Sequence, residues 1–349
     1  MSVTSIYDLE ATEAFRKLQG LDPGQIRKLR TSLCKRFVED SEISERFSFS
    51  DAMRLHWLEV NKQCDSSLDG ATKLLMQTDR GMLIETVILR IATGRTTLCV
   101  SSQVGCAAAC DFCATGKMGV AQNLSCGEIL DQVVLAGQLL AKEERKIRNI
   151  VFMGMGEPFH NEAGLFDALR TLVSTQMFCH PPTRILVSSV GVVDGMVRCA
   201  EEFPEINQAL SLHSVDQDVR EKLIPLAKKY PLSALREAIE KMNRLQSCPV
   251  MIEYLMIAGM NDSQDCAQRL IDWLVGLNVH VNLIPYNPID AAPNLIGSSK
   301  ASIDAFAATL KSSGLDTTTR YSLGKDIAAA CGQLVQQENR RIAQSLSLG

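Results

Sequence analysis

No stretch of this 349-residue chain approaches about 18 uninterrupted apolar residues, so the sequence offers no membrane-spanning helix. The opening Met-Ser-Val-Thr-Ser-Ile-Tyr-Asp-Leu-Glu lacks both the basic and the apolar segment of a secretion signal, and a cytoplasmic protein with no membrane partner is expected. A strong excess of one charge is also missing. The 36 Lys and Arg stand against 40 Asp and Glu, a formal net charge of −4, which excludes a polybasic protein that coats nucleic acid indiscriminately. A local basic face is compatible with that balance, and Lys117 and Arg145-Lys-Ile-Arg148 are candidates for phosphate contacts or for solvated helix ends. There is no low-complexity tract, no short internal repeat and no recognisable RNA-binding module. The 12 cysteines stand mostly singly in a long chain, so a reducing compartment accounts for them better than a disulfide framework.

One group of cysteines does not stand singly. Cys106, Cys110 and Cys113 form a CxxxCxxC triplet in Gly-Cys-Ala-Ala-Ala-Cys-Asp-Phe-Cys-Ala-Thr-Gly, with no fourth cysteine close by. A closed zinc site or an electron-transfer cluster normally takes four protein ligands, whereas three thiolates leave one iron of a 4Fe–4S cluster open. The triplet therefore points to a radical S-adenosylmethionine (SAM) enzyme, in which the open iron chelates SAM and a cluster electron splits its sulfonium to a 5′-deoxyadenosyl radical. A zinc site and unrelated thiols are the blander readings.

Residues 11 to about 64 read as short amphipathic helices, with Leu-Asp-Pro-Gly-Gln-Ile-Arg-Lys-Leu as a start signal, and give a small helical accessory domain over 1–75. The second domain, 76–349, opens with a predicted hairpin of strands near 82–91 and 96–101. Apolar strand candidates follow near 149–154, 184–189, 208–212, 250–256 and 279–284, separated by helical patterns such as 126–142, 165–174, 233–245 and 267–277. Counted from the strand at 96–101, these make six βα units, and repeated βα units demand parallel strands with helical crossovers. The expected fold class is α/β: a partial (β/α)6 barrel, open because it falls short of eight strands, with a small N-terminal helical domain.

In such a barrel, chemistry collects at the C-terminal ends of the strands. There the second strand runs into Gly154-Met-Gly156-Glu157-Pro158, whose glycines let backbone approach a ligand and whose Glu157 offers an anionic partner to a ligand ammonium. The third strand ends in Ser188-Ser189, the fourth in Ser211-Leu212-His213-Ser214, and the sixth in Asn282-Leu-Ile-Pro-Tyr-Asn287-Pro288. Any one of these reads by itself as a turn or a satisfied core polar group. Their recurrence at one end of successive strands, together with the triplet after the first, marks a site.

From about Glu85 to Leu334 the chain resembles the RlmN/Cfr family of radical SAM RNA adenosine methyltransferases. The resemblance rests on Leu-Cys99-Val-Ser-Ser-Gln-Val-Gly-Cys106 with the rest of the triplet, Val-Phe-Met-Gly-Met-Gly-Glu157-Pro, Ser-Leu-His213, His-Val-Asn-Leu-Ile-Pro-Tyr-Asn287-Pro, and Asp326-Ile-Ala-Ala-Ala-Cys331-Gly-Gln-Leu. It implies Cys106, Cys110 and Cys113 as ligands of one 4Fe–4S cluster, and Gly156, Glu157, Ser188, Ser211, Leu212, His213 and Asn287 as SAM contacts. It further implies that Cys331 carries the methyl group as S-methylcysteine, that Cys99 resolves the protein–RNA link through a transient Cys99–Cys331 disulfide, and that Glu85 or Cys99 accepts the ring proton. The product would be an adenosine methylated at C2 or C8 in ribosomal or transfer RNA. Two SAM molecules would be used per methyl, with an electron donor such as a flavodoxin system, by a monomer. Pro158 and Val104 match the C2-methylating side of the family, and Ala114-Thr-Gly is also found on the C8 side.

That chemistry has a physical motive. A ring carbon of adenine has no lone pair, so direct attack on the SAM methyl is blocked, and a thiolate that first takes the methyl offers a way round. The remaining cysteines, Cys34, Cys64, Cys126, Cys179, Cys199, Cys248 and Cys266, read as small core residues. A radical SAM enzyme acting on a non-RNA substrate is the alternative function. A non-catalytic cluster-binding module is the third reading, and it would require a fourth close cysteine.

Overall fold

The computed structural model describes residues 4–119, 121–320, 322–334 and 339. Ten strands form one open sheet whose spatial order follows chain order: β1 (Leu58–Asp65), β2 (Ala71–Thr78), β3 (Leu83–Arg90), β4 (Thr96–Cys99), β5 (Asn149–Phe152), β6 (Ile185–Ser189), β7 (Asn207–Ser211), β8 (Val250–Met256), β9 (Val279–Pro285) and β10 (Thr317–Thr319). The first four make an antiparallel meander, and from β4 onward every pair is parallel. The switch at β4 has a local cause. Short turns join β1 to β4, which permits antiparallel neighbours, while each later strand is reached through a helical crossover.

Those crossovers are α4 (Cys126–Lys142), α5 (Glu162–Val173), α6 (Val193–Glu202), α7 and α8 (Gln217–Leu223 and Leu232–Leu245), α9 (Gln264–Leu274) and α10 (Lys300–Ser312). Their starts are written in the sequence. Ser125 and Glu128 form a reciprocal capping box at α4, and Asp216, Ser263 and Ser299 cap α7, α9 and α10 with side-chain oxygens. Three short N-terminal helices, α1 (Leu9–Leu18), α2 (Pro23–Arg30) and α3 (Asp40–Arg46), pack beyond α4.

Helix α4 is therefore covered on both sides, which is why Asp131 and Gln132 are as buried as Ile129 and Val133. Asp131 is fully hydrogen-bonded: it accepts from the backbone amides of Trp57 and Leu58 at 2.8 Å each and meets His56 Nδ1 at 2.6 Å. The other imidazole nitrogen of His56 lies 2.9 Å from Asp40 at the start of α3. One imidazole thus bolts the N-terminal helices to the sheet layer.

The open α/β barrel matches the sequence expectation, with a seventh parallel strand, β10, added at the edge. The helical reading of residues up to 64 is corrected: the last α-helix of this region ends at Arg46, a single 3-10 turn follows at Ser50–Ala52, and Leu58–Asp65 is the edge strand β1. Only Leu58 of that strand is buried, so it carries no apolar period to betray it. The expected division at 75/76 falls inside β2, whose register with β3 is continuous from Ala71 to Gln77.

Candidate active site

The triplet occupies the loop that leaves the two-stranded ribbon Gln103–Gly105/Ala121–Asn123. Its backbone is held from three directions. Asp111 N donates to the Leu223 carbonyl at 2.9 Å, Cys113 N to that of Cys110 at 3.2 Å, and Ala114 N to that of Gly332 at 2.7 Å. Cys110 is buried, while Cys106 and Cys113 are half-buried. Burial first, and then the neighbouring thiols, push Cys106 up to about 12 and Cys110 well above the ordinary thiol range. Cys106 and Cys110 therefore resist losing their protons until a cationic iron core supplies compensating charge, as metal-bound thiolates require. As they stand, no three His, Cys, Asp or Glu side chains among the described residues are grouped to hold a single metal ion. A 4Fe–4S core asks for a different arrangement, one thiolate on each of three irons.

Gly156 adopts φ +105°, and a Cβ there would come within 2.8 Å of Gln103 N, so only glycine lets this turn lie against the ribbon. The turn aims Glu157 inward. Its carboxylate accepts from Phe159 N at 3.2 Å and Val190 N at 2.9 Å, and burial raises it to about 7 against the pull of those amides and of Ser189. Ser188 and Ser211, on adjacent strands, both donate to one oxygen of buried Glu253 on β8, at 2.7 and 3.2 Å. The backbone amides of Leu212 and His213 donate to the Glu253 carbonyl at 3.0 and 3.3 Å. His213, at φ +59°, accepts from Leu255 N through Nδ1, and burial, seconded by Arg220, lowers it to about 3, so the ring is neutral. The imidazole and the ring of Phe112 in the triplet loop stand perpendicular, with centroids 4.8 Å apart. Asn287 donates to the Cys331 carbonyl at 3.2 Å, while its buried side-chain oxygen has no partner among the described residues.

Cys99 and Cys331 meet across a cavity of about 750 Å³ that runs through the barrel, from Gly154 and Cys113 at the C-terminal ends of the strands to Arg184 and Asn207 at the other. Arg320, just beyond β10, lines the same cavity, with its guanidinium 3.6 Å from Met153 Sδ. Cys99 is a buried residue and Cys331 an exposed one; loss of solvent around each sulfur pushes Cys99 up to about 12 and Cys331 up to about 11, and in both cases the Arg320 charge pulls the other way. The Cys331 segment is strapped to the β1–β2 hairpin. Asp326 accepts from Ser66 Oγ at 2.7 Å and Ser67 N at 2.9 Å, Gly324 N donates to Asp69 at 2.9 Å, and Lys73 Nζ donates to the Ala328 carbonyl at 3.2 Å. Gly332 supplies φ +83° immediately after Cys331.

Glu85 is buried on β3, on the same face as Val87 and Leu89 of the cavity wall, but does not itself line the cavity; it is ion-paired to Lys73 at 2.9 Å. Gly156, Glu157, Ser188, Ser211, Leu212, His213 and Asn287 also lie outside the cavity wall. They share the C-terminal end of the sheet, the serines and the Leu212–His213 backbone through Glu253 and Asn287 through the Cys331 carbonyl. Three side chains were not found from sequence. Glu253 stood as a lone acid inside an apolar parallel strand, which was its signal; Arg320 followed a Thr-Thr-Thr run too short to read as a strand; Lys73 lay in the unrecognised hairpin. Lys117, a candidate phosphate contact, is paired with Asp111.

The donor set fits the cofactors under consideration: three thiols on one loop, an amide-held carboxylate at Glu157, and an unmet acceptor at Asn287. Residues 100–270 match the family model of the radical SAM superfamily, and with the open parallel sheet this defines a radical SAM protein, a class that works through a 4Fe–4S cluster and SAM. The chain is 57% identical over 338 residues, 97% of its length and 89% of the relative's, to a probable RNA methyltransferase of Rhodopirellula baltica. It is 40% identical to a probable dual-specificity RNA methyltransferase RlmN of Thermus thermophilus, over 78% of this chain and 76% of that one. A crystal structure of a radical SAM methyltransferase from Sphaerobacter thermophilus superposes with a TM-score of 0.88 at 36% identity, covering 95% of this chain and 99% of the other. The chain belongs to the RlmN/Cfr family of radical SAM RNA methyltransferases.

Proposed function

We propose that this protein methylates a ring carbon of adenosine, C2 or C8, in ribosomal RNA, transfer RNA or both, through an S-methylcysteine at Cys331 and a transient Cys99–Cys331 disulfide. The single observation that carries the reading is that Cys99 and Cys331, 232 positions apart in the chain, face one cavity beside one guanidinium, Arg320. A radical enzyme that transferred no methyl through a thiol would have no use for that pair.

In this reading Cys106, Cys110 and Cys113 hold the cluster, and Gly156, Glu157, Ser188, Ser211, Leu212, His213 and Asn287 surround SAM, with Glu157 facing its ammonium. When bound, the cluster supplies the electron that converts SAM to the 5′-deoxyadenosyl radical. Cys331, as thiolate, displaces the methyl group from one SAM molecule, and Arg320 favours that thiolate. A second SAM is spent in activating the methyl, which is then joined to the base while still attached to Cys331. Glu85 or Cys99 takes the ring proton. Cys99 then attacks the Cys331 sulfur: the new S–S bond forms as the S–C bond breaks, and the electron pair of that bond takes up a proton at the methylene carbon to complete the methyl group of the base. The unpaired electron of the adduct passes back to the electron-transfer system, and an external reductant restores the two thiols. A flavodoxin-type donor, a cytoplasmic setting and a monomeric enzyme complete the proposal. Among the described residues no helix is long and apolar enough to cross a membrane.

The test is mass spectrometry of anaerobically reconstituted protein incubated with methyl-labelled SAM. Label on the Cys331 peptide, absent in Cys331→Ala, followed by 2-methyl- or 8-methyladenosine in RNA digests, is the expected result. An unmodified Cys331 in protein that carries a cluster and cleaves SAM would overturn it and favour a non-RNA substrate.

A further inference from the structure

Arg220 lies in α7 with its side chain wholly buried. One terminal nitrogen donates to the Val190 carbonyl at 2.6 Å and reaches that of Ser211 at 3.4 Å, while Nε and the other terminal nitrogen have no hydrogen-bond partner among the described residues. A guanidinium keeps its charge under all ordinary conditions, and a buried charge with unmet donors is among the costliest groups a fold can hold unless an anion compensates it. The one titratable neighbour that supports its charge among the described residues is the thiol of Cys110, in the middle of the triplet. The backbone fixes the two together. The Leu223 carbonyl, three residues after Arg220, accepts from Asp111 N, next to Cys110. Leu223 and Ile224 pack with Cys110 and Ala114 in one apolar group.

We propose that Arg220 is the internal counter-charge of the cluster: it balances the Cys110 thiolate and the net negative charge of a tri-thiolate 4Fe–4S core, and so sets the potential at which that core accepts an electron. Three thiolates on such a core leave it anionic, and reduction adds a further negative charge. A fixed cation in a dry setting favours the reduced state and raises the potential. The inference rests on the assignment of the cluster to Cys106, Cys110 and Cys113. Arg220 acts here through charge, not by touching SAM.

The experiment is an EPR-monitored redox titration of SAM-free, reconstituted full-length protein. Arg220→Met is expected to take up a full cluster with its midpoint shifted to more negative potential, and Arg220→Lys to lie closer to wild type. An Arg220→Met midpoint equal to wild type overturns the inference, as does an Arg220→Lys midpoint no closer to wild type than Arg220→Met. Thermal unfolding gives a second arm. Without the cluster the buried cation is a burden, so apo Arg220→Met should melt no lower than apo wild type, and cluster loading should raise the melting temperature more in wild type. An apo Arg220→Met that is unfolded, or an equal gain on loading, makes Arg220 a structural residue and overturns the inference. Wild-type protein that takes up no cluster through the triplet removes the cluster assignment and this inference together; a loaded wild type with an unshifted variant removes this inference alone.

Discussion

Lys73 Nζ lies 2.9 Å from a carboxylate oxygen of Glu85 and 3.2 Å from the carbonyl oxygen of Ala328, three residues before Cys331. One ammonium on the β1–β2 hairpin thus touches both the candidate proton acceptor and the segment that presents the candidate methyl carrier. The pair is diagonal across adjacent strands, since Lys73 is opposite Val87 and Glu85 opposite Leu75. Lys73→Met leaves a buried carboxylate without this partner, a loss of about 3–5 kcal/mol in stability for a pair of this kind. Methyl delivery to RNA should fall by about 100-fold, the scale set by ångström misplacement of reacting groups. The check is a double-mutant cycle with Glu85→Gln, scored by single-turnover RNA methylation. Effects that simply add would mean the two side chains act independently.

Arg320 lines the cavity that Cys99 and Cys331 share, and its charge pulls against the loss of solvent that raises both thiols. Removing its charge in Arg320→Met should raise the pKa of Cys331, and with it the pH at which Cys331 is alkylated by iodoacetamide. The methyl-loading step, which needs the thiolate, should slow by about 10-fold at pH 8, one pKa unit of thiolate population. An alkylation profile at Cys331 unchanged from wild type would deny Arg320 this role.

Much of this was legible in the sequence. The six βα units and their strands near 149, 185, 208, 250 and 279 could be read because parallel strands buried on both faces are continuous apolar runs. The triplet and the polar strand ends could be read because unusual residues recurred at equivalent places. The expected hairpin near 82–91 and 96–101 is β3 and β4, and what stayed hidden was the β1–β2 hairpin before it. Strand β1 is an exposed edge with a single buried residue, so its composition matched a polar loop or helix as well as a strand. With β1 and β2 unread, the straps from Ser66, Ser67, Asp69 and Lys73 to the Cys331 segment were out of reach, as contacts spanning more than 250 positions leave no local trace.

Those straps carry a prediction of their own. Asp326 is an exposed residue whose carboxylate takes hydrogen bonds from Ser66 and Ser67, and Gly324 is held by Asp69. Asp326→Ala should free the Cys331 segment while leaving the sheet intact. Hydrogen exchange should accelerate at residues 327–334 with little change in melting temperature, and methyl delivery should fall in parallel. Unchanged exchange there would show that the contacts to Asn287 and Ala114 suffice to hold the segment.

The bolt between the N-terminal helices and α4 titrates. Burial opposes the charge on His56, but the hydrogen bonds to Asp131 and Asp40, with their charges, outweigh it and raise the imidazole from 6.5 to about 10. A folded-state pKa above the unfolded one means that the stabilising contribution is fully present below about pH 6.5 and is lost as pH rises toward 10. Wild-type stability should therefore decline across that window, with a slope of at most about 1.4 kcal/mol per pH unit. His56→Gln should be less stable than wild type at pH 6.5 and should lack this slope. Urea unfolding at pH 6.5, 8 and 9.5 measures both quantities, and equal slopes in the two proteins would show that His56 is neutral in the fold. Asp131→Asn is the sharper variant, because Asp131 also accepts the Trp57 and Leu58 amides. It should loosen the N-terminal helices at every pH, while leaving cluster uptake by the distant triplet loop unchanged.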